Sequence, residues 1–398
     1  MNHSFATRAV HVGERTPLGA HTPVSSPIHP SVGYTYATTA ELDAVLGNEQ
    51  AGYVYSTRYA NPTTAAFEQA IANLEGGEAA YATPSGMAAI HLALLGAGVR
   101  AGSHIVAAGD IYGATYSLVS HLFAELGAIP HLVDVADVAA VAEKVAAVRP
   151  AVLLVETISN PLLKTADIAA LAEIAHQHGT LLLVDNTFCT PYLCTPLAHG
   201  ADMVIHSATK YIAGHGDVMA GVVVCSAVLR QRLMDVNKLI GSTLGPFEAW
   251  LALRGLKTLP LRMREQCANA LVVAEWLENH PRIAHVNYPL LAGYGQRPLW
   301  DALTSGKGGG GIISFVLRDG GRAEVFRFME QLRLFQSATT LGDIYSLVLY
   351  PVIASHRSLT AEQRAAVGIA DGLVRLSIGI EDPTDLIADL EQALATSH

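Results

Sequence analysis

The chain has 398 residues, 51% of them hydrophobic and only 15% charged, enough for two or three domains and too apolar for disorder. A formal charge of −10, without any basic run, disfavours a nucleic-acid binder but leaves room for one local phosphate pocket. Cys189, Cys194, Cys225 and Cys267 show neither CxxC nor zinc spacing, so no metal site is expected and a reducing cytoplasm suits them.

No apolar h-region opens MNHSFATRAVHVG, and no apolar run is long enough to cross a membrane, so a cytoplasmic protein is expected. The low charged fraction predicts that part of the surface is covered by other subunits. Residues 1–58 read as an irregular, extended arm, because GERTPLGAHTPVSSPIHPSVGYTY is dense in Pro, Gly, Ser and Thr. From residue 59 to about 256 the pattern becomes regular. NPTTAAFEQAIANLEGG has apolar residues at helical spacing and a Gly-Gly stop. SHIVAAG, AIPHLVDV, AVLLVET, GTLLLVDNT, ADMVIHS and GVVVC read as short strands. GMAAIHLALLGAG, TYSLVSHLFAELG and DIAALAEIAHQHG read as helices between several of them. Continuously apolar strands alternating with helices predict an α/β fold with a mostly parallel sheet covered on both faces. Residues 257–398 read as a smaller α+β domain: the helix LRMREQCANALVVAEWLENH, the strands IAHVNYP, GGIISFVL and LVRLSIGI, and the final helix DPTDLIADLEQALA.

GKGGGG matches G-x-G-x-x-G at Gly306, Gly308 and Gly311. That fingerprint needs a strand before it and a helix after it. Here a polar loop precedes and a strand follows, so the stretch is expected to be a flexible loop, which removes the support for a dinucleotide-dependent dehydrogenase.

In open parallel sheets, ligands bind beyond the carboxyl ends of the strands. Asn160 follows one such end, Asp185 and Thr187 the next, and Ser207, Thr209 and Lys210 a third; Gly86 and Met87 stand at a loop-to-helix junction, where free N–H groups can cradle a phosphate. Taken singly, each has an ordinary explanation: a solvated strand-end lysine, an Asp that caps a turn, a Gly in a loop. Together they fit pyridoxal 5′-phosphate (PLP), which needs a lysine for a Schiff base, a carboxylate against the pyridinium nitrogen and a phosphate cup. Lys210 supplies the first, Asp185 the second, and Gly86, Met87, Ser207 and Thr209 the third.

The segment VDNTFCTPYLCTPLAHGADMVIHSATKYIAGHGD, residues 184–217, with TRAVHVG, RYANPT, SGMAAI, YGATY, ETISNPLL, RGLKTLPLRM and GLVRLSIGIED, resembles the Cys/Met-metabolism PLP enzymes: cystathionine γ-synthase, cystathionine γ-lyase, methionine γ-lyase and O-acylhomoserine sulfhydrylase. The resemblance runs along essentially the whole chain. It implies a fold-type I architecture and a homotetramer built from dimers that share active sites. It further implies that Tyr112 stacks on the cofactor ring and moves protons, and that Asn160 bonds the cofactor's 3-oxygen. Arg375, helped by Ser337, would clamp the substrate α-carboxylate. Arg58 would reach the neighbouring subunit's cofactor phosphate together with Tyr55 or Tyr53.

The resemblance also bears on substrate choice. Ala114 stands where methionine γ-lyases carry a cysteine, Lys238 where they tend to be acidic, Ser117 where cystathionine enzymes have an arginine, and Tyr345 where many relatives have a glutamate. Ala114 and Lys238 depart from the methionine γ-lyase pattern, Ser117 implies poor service to a long zwitterionic distal group, and Tyr345, by removing charge, implies an uncharged or small γ-substituent. The expected reaction is γ-elimination on methionine, homocysteine or a related sulfur amino acid; the alternative is γ-replacement on an O-acylhomoserine. The retained Lys210, Asp185, Tyr112 and Arg375 speak against a catalytically silent relative of the family.

Overall fold

The computed structural model describes residues 3–47, 49–56, 61–354, 357, 360, 362, 364 and 368–396. The N-terminal segment carries two helices, α1 (Phe5–His11) and α2 (Thr39–Leu46), where an irregular arm was expected. The second had a readable signal: Thr38 and Glu41 form a capping box at its start. Much of this segment lies on its own chain. Ser26 accepts a hydrogen bond from Trp250 (3.2 Å), Glu14 pairs with Lys257, and the side chain of Asn61 donates to His29 O (2.8 Å). At Gly13 (φ +77°) an added Cβ would lie 2.2 Å from Ala66 O, so only glycine allows that approach.

Next come α3 (Pro62–Glu75), β1 (Ala79–Thr83), α4 (Gly86–Gly96), β2 (His104–Ala108) and α5 (Gly113–Ser117), which continues as a π-helical turn over Leu118–Phe123. Then follow β3 (Ile129–Val133), α6 (Val138–Val148), β4 (Val152–Glu156), α7 (Ile168–Gln177), β5 (Leu181–Asp185), α8 (Thr190–Leu193), β6 (Met203–His206), β7 (Gly221–Cys225), α9 (Ala227–Ile240) and α10 (Pro246–Leu256). The strands form a seven-stranded sheet in the order β1-β7-β6-β5-β4-β2-β3. All pairs are parallel except those of β7, which runs antiparallel to β1 and β6. Val152, Leu153, Leu154 and Val155 of β4 are all fully buried, as a sheet covered on both faces requires. The strand β1 was not foreseen: AAYAT has the low β-propensity of alanine, and its pairing with β7 supplies what propensity does not.

The rest of the chain begins with α11 (Leu259–Glu278), β8 (Ile283–Asn287), α12 (Arg297–Thr304), β9 (Ile312–Leu317) and α13 (Arg322–Gln331). It continues with β10 (Gln336–Ser337), β11 (Leu347–Leu349) and β12 (Leu373–Ser377), and a helix over Pro383–Thr396 closes it. A second sheet has five strands in the order β10-β11-β12-β9-β8. Helix α11 serves both cores: Leu259, Met263 and Cys267 pack into the first, Ala270, Val273 and Leu277 into the second. Gly308 to Gly311 lead into β9, but they are not a loose loop. A Cβ at Gly309 would lie 2.5 Å from the Tyr288 ring, and one at Gly311 2.8 Å from the Tyr211 hydroxyl, so these glycines let backbone pass buried tyrosines.

Candidate active site

The carboxyl ends of β4, β5 and β6 open into a cavity of about 470 Å³. Glu156 ends β4 and Asp185 ends β5, and the two are register partners on one rung of the sheet. Beyond β6 the chain turns sharply. Thr209 both donates to Ala220 O (3.1 Å) and accepts from Ala220 N (2.9 Å), while Thr187 Oγ1 accepts from Ser207 N (2.9 Å). Just past Lys210, the buried Arg262 donates to the carbonyls of Tyr211 (2.6 Å), Ile212 (3.0 Å) and Gly255 (2.8 Å). The backbone that carries Lys210 is therefore fixed from both sides.

Lys210 Nζ donates to Thr340 Oγ1 (2.8 Å). Burial, and then the Arg375 charge, hold its amine below the usual lysine range, with Asp343 pulling the other way. Arg375 is buried and spends its bonds on neutral oxygens: Nη1 on Asn160 Oδ1 (3.1 Å) and Nη2 on Thr340 O (3.0 Å), with Nε left unpartnered. Burial lowers its guanidinium to about 10. A buried cation with a spare donor is suited to an anionic ligand. Burial raises Asp185, opposed by hydrogen bonds from the side chain and backbone of Thr187 and by His206.

At the start of α4, Ser85 Oγ caps Ala88 N (3.1 Å), which leaves the N–H groups of Gly86 and Met87 for a ligand. A Cβ at Gly86 would lie 2.7 Å from Ser207 Cβ; its absence lets the helix start and the lysine loop share one concave wall. A lowered, buried amine, a buried carboxylate and an anion cradle in a single cavity fit PLP.

The cavity is lined by Lys210, Asp185, Thr187, Ser207, Thr209, Gly86, Met87, Tyr112, Asn160 and Arg375. Four of the expected site residues are not among those that line this cavity. Ser337 sits on the exposed two-residue edge strand β10, away from the cavity. Thr340, farther along toward β11, reaches both Lys210 and Arg375 instead. Tyr345 is exposed, its hydroxyl 3.4 Å from His215 O, because its ring lies over Gly216 outside the cavity. Ala114 is half-buried within α5 and is not on the cavity wall. Tyr55 is exposed and bridges Gly33 through its backbone, so it does not line its own chain's cavity. Arg58 lies outside the described residues. Sequence reasoning passed over Glu156, although it ends its strand just as Asp185 does, and Thr340, which no strand end announces.

The sequence model of the Cys/Met metabolism PLP-dependent enzymes matches residues 6–395. The chain belongs to that family. It is 44% identical to an L-methionine gamma-lyase of Pseudomonas putida over 99% of this chain and 98% of that relative. It is 43% identical to an O-succinylhomoserine sulfhydrylase of Pseudomonas aeruginosa over 98% and 95%. Among solved structures it is similar to the cystathionine gamma synthase of Xanthomonas oryzae pv. oryzae in complex with aminoacrylate and cysteine, with a TM-score of 0.92 and 39% identity, covering 100% of this chain and 99% of that one. The protein is thus a PLP-dependent enzyme of the Cys/Met metabolism family, with the α/β fold and mostly parallel central sheet expected from its sequence.

Proposed function

We propose that this enzyme performs γ-elimination on methionine, homocysteine or a related sulfur amino acid, releasing a thiol and, by hydrolysis with one water, a 2-oxo acid and ammonia. The observation that carries it is the meeting of Lys210 Nζ and Arg375 at Thr340, in the cavity that Asp185 also lines. The same walls include Ile158, Phe188, Leu341 and Leu349, an apolar surface suited to an uncharged thioether.

In this reading, bound PLP supplies an electron sink for the carbanion formed beside the substrate nitrogen. Asp185 would hold the pyridine nitrogen and Asn160 the 3-oxygen, while Gly86, Met87, Ser207, Thr209 and Thr187 would serve the phosphate. Arg375 clamps the substrate α-carboxylate through its fork. The lowered amine of Lys210 takes the α-proton and moves it onward, and the Tyr112 hydroxyl gives a proton to the departing sulfur. Arg58 and Tyr55 reach the cofactor phosphate of a neighbouring copy within a tetramer, and the enzyme works in the cytoplasm.

Similarity to an O-succinylhomoserine sulfhydrylase favours one second reading, γ-replacement on an O-acylhomoserine. A substrate panel decides between them. Methionine or homocysteine alone is expected to yield ammonia and 2-oxobutyrate. Product that forms only when an O-acylhomoserine and a thiol are supplied together overturns the elimination reading.

A further inference from the structure

Tyr112 has little to hold it. It is 41% exposed and stands at the N-cap of the five-residue α5, with no side-chain cap bond. Its backbone N–H donates to Glu156 Oε1 at 2.9 Å. Glu156 ends β4 near the centre of the seven-stranded sheet and shares its rung with Asp185, so the two are neighbours at strand spacing, roughly 4.8 Å. We propose that Glu156 is a positioning residue, whose carboxyl ties the backbone of Tyr112 to the rung that carries Asp185 and so fixes where the tyrosine ring stands in the cavity that Asp185 lines.

The inference rests on the reading that Tyr112 stacks and moves a proton in this cavity. Glu156 spends one carboxyl oxygen, Oε1, on that N–H. Its other oxygen, Oε2, is buried and without a hydrogen-bond partner, a costly arrangement to keep for an ordinary cap. Burial, then the Asp185 charge, push this carboxyl well above the usual range, opposed by the Tyr112 and Asn160 N–H groups and reinforced by Asp110. A carboxyl biased toward its protonated form can anchor Tyr112 with less negative charge beside Asp185.

The test compares Glu156→Gln, which keeps an acceptor oxygen, with Glu156→Ala, which removes it. A misplaced catalytic group costs up to about 100-fold, so the Ala variant is expected to lose about 10- to 100-fold in kcat with KM within about threefold. The Gln variant is expected to recover to within about threefold of the parent. Titrating the cofactor-free protein with PLP reads the ring position without turnover. Stacking is worth roughly 0.5–1.5 kcal/mol, so the Ala variant is expected to bind PLP about two- to tenfold more weakly and the Gln variant as the parent does. In a Tyr112→Phe background the Ala change should lower kcat by less than about threefold, because the hydroxyl it positions is gone. An Ala variant with parental kcat and PLP affinity, a Gln variant as impaired as Ala, or additive losses in the double variant overturns the proposal. If Tyr112→Phe alone keeps full kcat, the proton role of Tyr112 fails, while the PLP titration still decides the anchor. Should the Ala variant not fold, Glu156→Met, similar in length and without an oxygen acceptor, replaces it.

Discussion

The carboxyls of Glu156 and Asp185 have the same problem: each sits in a buried site where ionisation costs solvation, and both are raised by burial first. A raised carboxyl binds its proton more tightly in the folded than in the unfolded state. Its contribution to stability is therefore complete below the unfolded carboxylate value, near pH 4, and is lost as pH climbs through the folded value. Replacing Glu156 with Gln removes that titration. The thermal midpoint of the cofactor-free Gln variant, minus that of the parent, is expected to grow as pH is raised from about 4 to about 8. A difference that stays flat across that window means Glu156 titrates as a solvated carboxylate does, and the electrostatic picture of this rung is then incorrect. Lys210 shows the reverse shift, since burial and then Arg375 work against its positive charge, which favours its neutral, proton-accepting form relative to a solvated lysine.

At the scale of elements, two loops made the cavity: the turn entering α4 and the turn leaving β6. They touch at Gly86 and Ser207. Alanine at Gly86 gains helix propensity, worth at most about 1 kcal/mol. It also brings a Cβ to 2.7 Å from Ser207 Cβ and 3.0 Å from Ser207 Cα, on a loop pinned by Thr187 and Thr209. Overpacking of this kind costs roughly 1–3 kcal/mol, so the clash wins, and it widens the cradle. Gly86→Ala is expected to weaken PLP binding by about tenfold or more, since each 1.4 kcal/mol is tenfold, as read by titration of the cofactor-free protein. Unchanged affinity would show that the start of α4 is not the phosphate cradle. These loops were legible in the sequence because apolar strands announce their own ends, and Asp185, Ser207 and Lys210 sit within a few residues of such ends. Thr340 was not, and Ser337 was taken in its place. Thr340 lies in the connection between β10 and β11, and what brings it to Arg375 is the pairing of β11 with the distant β12, which leaves no local signal. The alanine-rich β1 and the π-helical turn after α5 escaped for a related reason: neighbours in space, rather than period in sequence, make them what they are.

For the whole molecule, the cavity draws Lys210 and Asp185 from around the seven-stranded sheet and Arg375 from the five-stranded one, while α11 packs into both cores. What one chain leaves uncovered is informative. Leu239 is 88% exposed and Phe247 54%. Tyr55 is exposed as well and is not among the residues lining the cavity of its own chain that holds Lys210. The proposed sharing of sites between copies would account for an exposed Tyr55, and a mixing experiment tests it. Lys210→Ala chains keep the arm but lose the amine; Arg58→Ala chains keep the amine but lose the arm's guanidinium. If each arm serves the neighbour, a hybrid dimer holds one complete site, with Lys210 from one chain and Arg58 from the other. Random pairing of equal amounts makes half of the dimers hybrid, so co-refolded or co-expressed chains should recover about one quarter of parental activity in closed two-fold dimers, well above either variant alone. Activity no greater than the mean of the two variants would mean that each chain builds its site unaided.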